Sequence, residues 1–319
     1  MKHPKAFCTI ITNNYFSWAL SLYDSLAEFD RDIILYVAVV DHSVEDHSSK
    51  TIGKNIKILT LDDFDGVKFS QEIIHQYKDN LNILRWALKP VLVSKCLEFS
   101  EKVIFTDADI YFFNAYQFLF DYLDASHILL TPHWRPLTPG ENPAEFNATF
   151  RHGIFNAGFI GASAHGKSAL EYWAENCYIF CGNNPEVGLY HDQVYLNLIP
   201  AYFEKVKIVR DLGCNLAGWN IDFCRRTKDP ENDEVKINGT FPVVFIHFTN
   251  VTIDKILKGE DHLLKPHLEK FDNSLIKNGF KSIISQRLEY FDRLVREQNE
   301  SLWDKQIKKL KHIYYRIRY

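Results

Sequence analysis

Two aspartates two residues apart at the end of an apolar run are the clearest place in this chain to argue chemistry. The stretch is Lys102 to Asn114, KVIFTDADIYFFN, in which Val103-Ile104-Phe105 reads as a core strand and Asp107 and Asp109 follow it. In an extended segment residues i and i+2 project to the same side, so both carboxylates can reach one cation. A hard divalent ion such as Mn2+ or Mg2+ takes carboxylate oxygens and then the oxygens of a diphosphate. That is the chemistry that holds a nucleoside-diphosphate sugar. The same pair would also fit a solvated strand end with an N-cap carboxylate, so the surrounding elements must decide.

Ala6 to Ile11 is a short apolar strand ending in Thr12-Asn13-Asn14-Tyr15, after which Trp18, Leu22, Leu26 and Phe29 recur at helical spacing. Ile33 to Val40 reads as a second buried strand ending in Asp41, and Ile56 to Leu61 as a third. Helical stretches near 69 to 78 and 81 to 97 lead into the strand before Asp107. This alternation predicts an α/β fold with a mostly parallel central sheet, in which ligands sit beyond the carboxyl ends of strands. Thr12, Asn14, Tyr15, Asp41, Asp107 and Asp109 all fall at such ends. Pro132 to His152 reads as a long loop rich in proline and polar residues, the expected acceptor-side element. A strand of small residues, Asn156 to Gly161, precedes a helix near 165 to 178. Arg225 to Gly239 is a second polar excursion before the apolar strand Pro242 to Ile246, which ends at His247.

The chain has 319 residues, and its 46% hydrophobic content, with 24 Phe, 16 Tyr and 6 Trp, supports a sizeable core. A net charge of -4 argues against a nucleic-acid partner. The N-terminus is too polar for a signal peptide and no apolar run is long enough to span a bilayer, which predicts a cytoplasmic protein. The six cysteines form no C-x-x-C pair, so free, mostly buried thiols are expected. From about Ser282 onward the pattern is helical. One apolar stripe holds Ile284, Leu288, Phe291 and Val295, and a second holds Trp303, Ile307, Leu310, Tyr314 and Ile317. Lys305, Lys308, Lys309, Lys311, Arg316 and Arg318 accompany the second, which suits either an anionic membrane surface or packing on the domain with a solvated basic face.

Taken in order, Thr12-Asn13-Asn14-Tyr15, Arg85, Asp107-Ala108-Asp109, Asn156-Ala157-Gly158, Asp192-Gln193-Val194-Tyr195-Leu196-Asn197 and His247 resemble glycosyltransferase family 8 and its bacterial polysaccharide-synthesis relatives of GT-A fold. The resemblance covers about residues 5 to 250. It departs at the end, where the family reads H-x-G-x-x-K-P-W and this chain reads His247-Phe248-Thr249-Asn250, so the family's phosphate-binding lysine has no counterpart there.

The resemblance implies a Rossmann-like GT-A catalytic domain over 1–255, with a donor half to about 115 and an acceptor half over 116–255, followed by a C-terminal helical extension over 256–319. It implies that Tyr15 stacks on uracil, that Thr12 and Asn14 serve the base and ribose, and that Asp41, Asp107 and Ala108 also belong to the nucleotide-binding set. Asp107, Asp109 and His247 would be the ligands of Mn2+ or Mg2+, and Arg85 would hold the aspartates or the diphosphate. Asn156 and Asp192 would bind the donor sugar's hydroxyls, with Gln193 near the anomeric carbon. The implied activity is hexose transfer from a UDP-sugar to a glycan or lipid-linked glycan, with retention, in surface polysaccharide or lipopolysaccharide synthesis. Were the reaction inverting, Asp192 would be the first candidate base.

Two other classes remain open from sequence. One is a non-catalytic carbohydrate-binding protein on a transferase fold. The other is a P-loop enzyme, because Gly161-Ala162-Ser163-Ala164-His165-Gly166-Lys167-Ser168 satisfies G-x-x-x-x-G-K-[ST] after a strand and before a helix. Against the second, an ATPase needs an apolar strand ending in a magnesium-holding aspartate downstream, and Val206 to Asp211 is broken by Lys207 and Arg210.

Overall fold

The computed structural model describes residues 2–41 and 51–297. Seven strands form the central sheet: β1 (Ala6–Ile11), β2 (Ile34–Val39), β3 (Ile56–Leu59), β4 (Lys102–Thr106), β6 (Ile128–Pro132), β7 (Phe155–Ser163) and the strand Val206–Ile208, with β5 (Ile110–Phe112) lying outside it. Their spatial order is Val206–Ile208, β6, β7, β4, β1, β2, β3. All neighbours pair in parallel except β7, which runs antiparallel to both β4 and β6. The α/β fold with a mostly parallel sheet expected from the alternating pattern is therefore present.

The sheet divides the core in two. Along β1 the side chains of Phe7 and Ile11 enter one apolar cluster, while Ala6, Cys8 and Ile10 enter the other. That split is the period-two alternation of a strand buried on both faces. All six cysteines are free and buried. Among the described residues no helix is long and apolar enough to cross a membrane.

Three segments differ from the sequence expectation. The loop expected over 132 to 152 contains a helix, Pro143–His152, whose start is a cap: the Asn142 side chain accepts from Glu145 N at 3.2 Å and Pro143 occupies the first turn. The signal lay in Asn-Pro rather than in apolar periodicity, because this helix buries only Ala148. The excursion from 225 to 239 holds two short strands, Arg226–Lys228 and Val235–Ile237, which form an antiparallel sheet with Phe241–Pro242. The helical stretch over 81 to 97 is two helices, Leu81–Ala87 and Lys89–Phe99, with Pro90 in the first turn of the second.

After the last strand, Phe245–His247, the helices Asn250–Leu257 and Lys265–Lys277 follow. The latter packs on the helix Phe16–Ala27: Trp18 and Phe271 meet edge to face at 5.5 Å, and Ser21 Oγ donates to Ser274 Oγ at 2.9 Å. Residues 283 to 297 are helical, tied back by Arg287, which donates to Asp254 at 2.8 and 2.7 Å. On this helix Ile283 is buried and Ile284 packs against the core, while Leu288 and Val295 are exposed. The basic stripe from Lys305 lies outside the described residues.

Candidate active site

Asp107 and Asp109 sit in the turn between β4 and β5. β5 pairs antiparallel with Phe245–His247, in a register that sets His247 against Ile110. This pairing brings the histidine to the aspartates: His247 Nε2 is 3.0 Å from Asp109 Oδ1 and 3.8 Å from Asp107 Oδ2. One ligand atom from each of the three side chains lies within 4.8 Å of the others, a spacing that one ion can bridge. Two carboxylate oxygens and an imidazole nitrogen suit Mn2+ or Mg2+, so the residues fit the cation that the motif implies. Burial opposes ionisation of both His247 and Asp109, yet their mutual attraction prevails. His247 is raised above its ordinary pKa by Asp109 and then Asp107, and Asp109 is lowered by His247 and then Lys89.

Gly158 shows how closely this cluster is packed. A Cβ added there would lie 2.5 Å from His247 Cε1, 2.6 Å from Asn156 Oδ1 and 2.9 Å from Asp107 Oδ2. Only glycine fits, and that is the physical content of the Asn-Ala-Gly motif. Asn156 is buried and occupied at both ends: its Oδ1 accepts from Gly158 N at 2.7 Å and its Nδ2 faces His133 Nε2 at 3.3 Å. His133 Nδ1 faces the carbonyls of Gly153 and Ile154 and so carries the proton, which leaves Nε2 to accept from Asn156. Burial, with Arg135 adding to it, lowers the His133 pKa to about 3 and keeps the ring neutral.

The cation that faces the carboxylates is Lys89, which sequence reasoning passed over in favour of Arg85. Lys89 is 3% exposed, and its Nζ lies 3.0 Å from Asp107 Oδ1, 3.6 Å from Asp192 Oδ2 and 3.1 Å from the Ala157 carbonyl. Burial works against its charge, but Asp107 and Asp192 outweigh burial and raise its pKa. Arg85 is only partly buried, donates to Asn82 Oδ1 at 2.7 Å, and holds its guanidinium 5.6 Å from the Tyr15 ring centre. It lines the hollow walled by Tyr15 and Trp18 and, among the described residues, forms no ion pair with the aspartates. The available signal was a lone lysine inside Ala87-Leu88-Lys89-Pro90-Val91-Leu92, a position where a lysine is buried only if paired.

Asp192 is 3% exposed, and its Oδ2 has no hydrogen-bond partner. Burial raises its carboxyl to about 6, Lys89 pulling the other way and Asp107 adding to the rise. Its backbone carbonyl accepts from Trp173 Nε1 at 2.8 Å, which fixes the segment. Gln193 is spoken for at both ends, accepting from Ala157 N at 3.0 Å and donating to the His152 carbonyl at 2.7 Å.

Two hollows meet at this cluster, and Trp86, Lys89, Asp107 and Asp109 line both. One, of about 400 Å³, is walled by Tyr15, Trp18, Arg85 and Ala108. The other, of about 570 Å³, is walled by Asn156, Asp192, Gln193, His247 and a rim from Arg135, Glu145 and His152. Thr12, Asn14 and Asp41 are not among the residues lining either hollow. Thr12 Oγ1 donates to Asn14 Oδ1 at 2.5 Å and the Asp41 carboxylate accepts from Asn13 N at 2.9 and 3.0 Å, so all three shape the turn that presents Tyr15.

No family profile matches the chain. It is 23% identical over 259 residues to the uncharacterized protein YfnF of Bacillus subtilis (strain 168), covering 79% of this chain and 83% of that protein. It is 26% identical over 259 residues to YfnD, also uncharacterized, of the same organism, covering 77% and 78%. Among solved structures it is similar to the galactosyltransferase LgtC, described in complex with donor and acceptor sugar analogues, at 16% identity and a TM-score of 0.47, covering 76% of this chain and 86% of that one.

The rival phosphate-loop motif lies elsewhere. Gly161, Ala162 and Ser163 are inside β7, bonded into the sheet against β4 and β6, and only Ala164–Gly166 turns before the helix Lys167–Ile179. Ser163 pairs with Lys102 at the start of β4, so this turn is at the opposite end of the sheet from Asp107. Its glycines are packing residues: a Cβ on Gly166 would lie 2.5 Å from the His127 carbonyl oxygen, and one on Gly161 would lie 3.0 Å from Leu129 Cδ1. The Lys167 side chain is 72% exposed and lies 3.8 Å from Glu171.

Proposed function

We propose that the protein is a metal-dependent glycosyltransferase that moves a hexose from a UDP-sugar to a glycan or lipid-linked glycan acceptor, with retention, in the synthesis of a surface polysaccharide or lipopolysaccharide. The observation that carries this reading is the position of the Asp107–Asp109–His247 cluster where an aromatic hollow joins a polar one. A nucleoside-diphosphate sugar has the same order of parts: flat base, charged diphosphate, polyhydroxylated ring. Tyr15 and Arg85 give the base a π-face and a cation, and Asn156, Asp192 and Gln193 give the sugar a polar wall.

A divalent ion held by Asp107, Asp109 and His247 would offset the charge that builds on the departing diphosphate. Lys89 balances Asp107 and Asp192 and holds both in place. Asp192 Oδ2, ion-paired with Lys89 at 3.6 Å but without a hydrogen bond, accepts from a donor hydroxyl. Gln193 and Asn156, occupied on both sides, fix the chain around the sugar. No side chain is assigned as base toward the acceptor, whose proton passes to the leaving phosphate.

A thermal-shift screen of nucleotides with and without Mn2+ tests the class, because a ligand bound only by the folded state raises the melting temperature by mass action. UDP with Mn2+ is expected to stabilise more than ATP does. The reverse order would overturn the reading.

A further inference from the structure

His247 lacks the hydrogen bond that ordinarily sets a metal-ligating imidazole. Such a ring usually donates from its far nitrogen to a carboxylate, a carbonyl or water, and that bond fixes its orientation. Here Nε2 faces the aspartates, while Nδ1 is buried and has no hydrogen-bond partner. Packing holds the ring instead. Trp219 meets it edge to face, with 5.4 Å between ring centres and 86° between planes, and the Gly158 backbone lies so near Cε1 that no Cβ fits there. Trp219 also meets His133 edge to face at 5.4 Å, so it touches both imidazoles of the hollow's inner wall.

The turn that carries Trp219 is bonded on several sides. Its segment runs beside the last strand: Leu216 N donates to the Phe245 carbonyl at 3.1 Å, and His247 N donates to the Leu216 carbonyl at 2.8 Å. Arg226 donates to the Ala217 carbonyl at 2.9 Å and to Asn220 Oδ1 at 3.2 Å. Arg226 Nε lies 3.1 Å from Asp261 Oδ2, and both side chains are only 3% exposed. Gly218 N donates to Thr252 Oγ1 at 3.0 Å, and Lys255 Nζ donates to the Gly218 carbonyl at 2.8 Å. Thr252, Lys255 and Asp261 all follow the strand that ends in His247.

We propose that Trp219 is a positioning residue for His247, held in place by the Arg226–Asp261 ion pair, so that the segment after the last strand takes part in forming the divalent-ion site. The inference rests on the metal-dependent reading. Burying two charges gains little net stability, so the contribution of the ion pair is position. Removing the Trp219 ring leaves both aspartates, Lys89 and the strand pairing of His247 in place, while the imidazole loses the neighbour that sets its angle. The ligand affected is therefore the nitrogen and not the two carboxylates. A Trp219 that served only as a wall for sugar would leave metal binding by the free protein unaltered.

The test is titration of Mn2+ into the full chain without nucleotide or sugar. Binding is read from loss of the free-ion electron paramagnetic resonance signal, and spin-echo modulation reports whether a nitrogen is bound directly to the ion. The variants are Trp219→Leu, Trp219→Phe and Asp261→Asn. In Trp219→Leu the dissociation constant should rise about tenfold, the scale of losing an outer partner of a metal ligand, and the nitrogen modulation should weaken. Both should return in Trp219→Phe, which keeps an aromatic ring beside His247. Asp261→Asn should shift both in the same direction as Trp219→Leu; if that variant does not fold, the two Trp219 variants decide. Unchanged affinity with full nitrogen modulation in Trp219→Leu would overturn the proposal, and so would a loss that Trp219→Phe does not restore. Failure of the unmodified chain to bind Mn2+ would overturn the metal-dependent reading as well, whereas equal binding by the unmodified chain and Trp219→Leu overturns this inference alone.

Discussion

The two hollows that meet at Asp107 and Asp109 are built on different principles. The aromatic one is walled by the 37% exposed Tyr15 ring, Trp18 and Arg85, and the turn behind Tyr15 is closed on itself, Thr12 bonding Asn14 and Asp41 accepting from the Asn13 amide. In the polar one Asp192 is buried with an oxygen unbonded and its carboxyl raised to about 6, next to Asp107 and Lys89. The first is shaped by rings and a closed turn. The second holds a buried carboxyl against its ordinary charge, and on the proposed reading a bound sugar would supply the hydrogen bond it lacks.

The contrast can be broken most decisively at the shared boundary. Asp109→Asn removes one carboxylate ligand and should lower turnover about a thousandfold or more while abolishing the Mn2+-dependent part of the UDP thermal shift. The far-ultraviolet circular dichroism should be unchanged. Undiminished turnover would remove the metal-site argument.

Asp192→Asn should separate activity from stability. A carboxyl at about 6 in the folded chain, against an ordinary 3.8, binds its proton more tightly folded than unfolded. Its contribution to stability is therefore present in full below about pH 4 and is lost as pH rises through about 6. At pH 7 the ionised group costs on the order of 1–3 kcal/mol. The variant should melt higher than the parent at pH 7, melt close to it at pH 4, and turn over about a hundredfold more slowly. A lower melting temperature at pH 7 would show that Asp192 contributes to the fold and is not strained by it.

Tyr15→Ala tests the other hollow. Loss of a stacking face should raise KM for the donor about tenfold and leave KM for the acceptor as it was. Equal rises in both would mean that the two hollows are not separate. The smallest effect is expected for Lys167→Ala, whose turnover should stay within about twofold; a thousandfold loss would restore the phosphate-loop reading.

The aromatic hollow was legible in the sequence because it comes from turns after strands, where a strand of unbroken apolar residues followed by Thr-Asn-Asn-Tyr or Asp-Ala-Asp marks both the element and its ligand-facing end. The polar hollow was legible only in its motifs. Asn156, Asp192 and His247, singled out from their motifs, line that hollow, but His133 and Trp219, which also line it, come from segments with no local pattern that marks them. Lys89 follows the break between two helices that a continuous pattern concealed. The helix carrying Glu145 and His152 buries so little apolar surface that its cap was the one cue. Tertiary pairing, rather than local spacing, places these groups.

The pairing of β5 with Phe245–His247 has a consequence for how the chain matures. It joins Ile110–Phe112 to Phe245–His247, strands far apart in sequence, and closing so long an interval carries a larger entropic cost than local contacts do. A chain released or cut before Phe245 would carry both aspartates and lack both His247 and the strand that pins β5. On the proposed reading, divalent-ion affinity is thus withheld from any chain in which this strand pair has not formed.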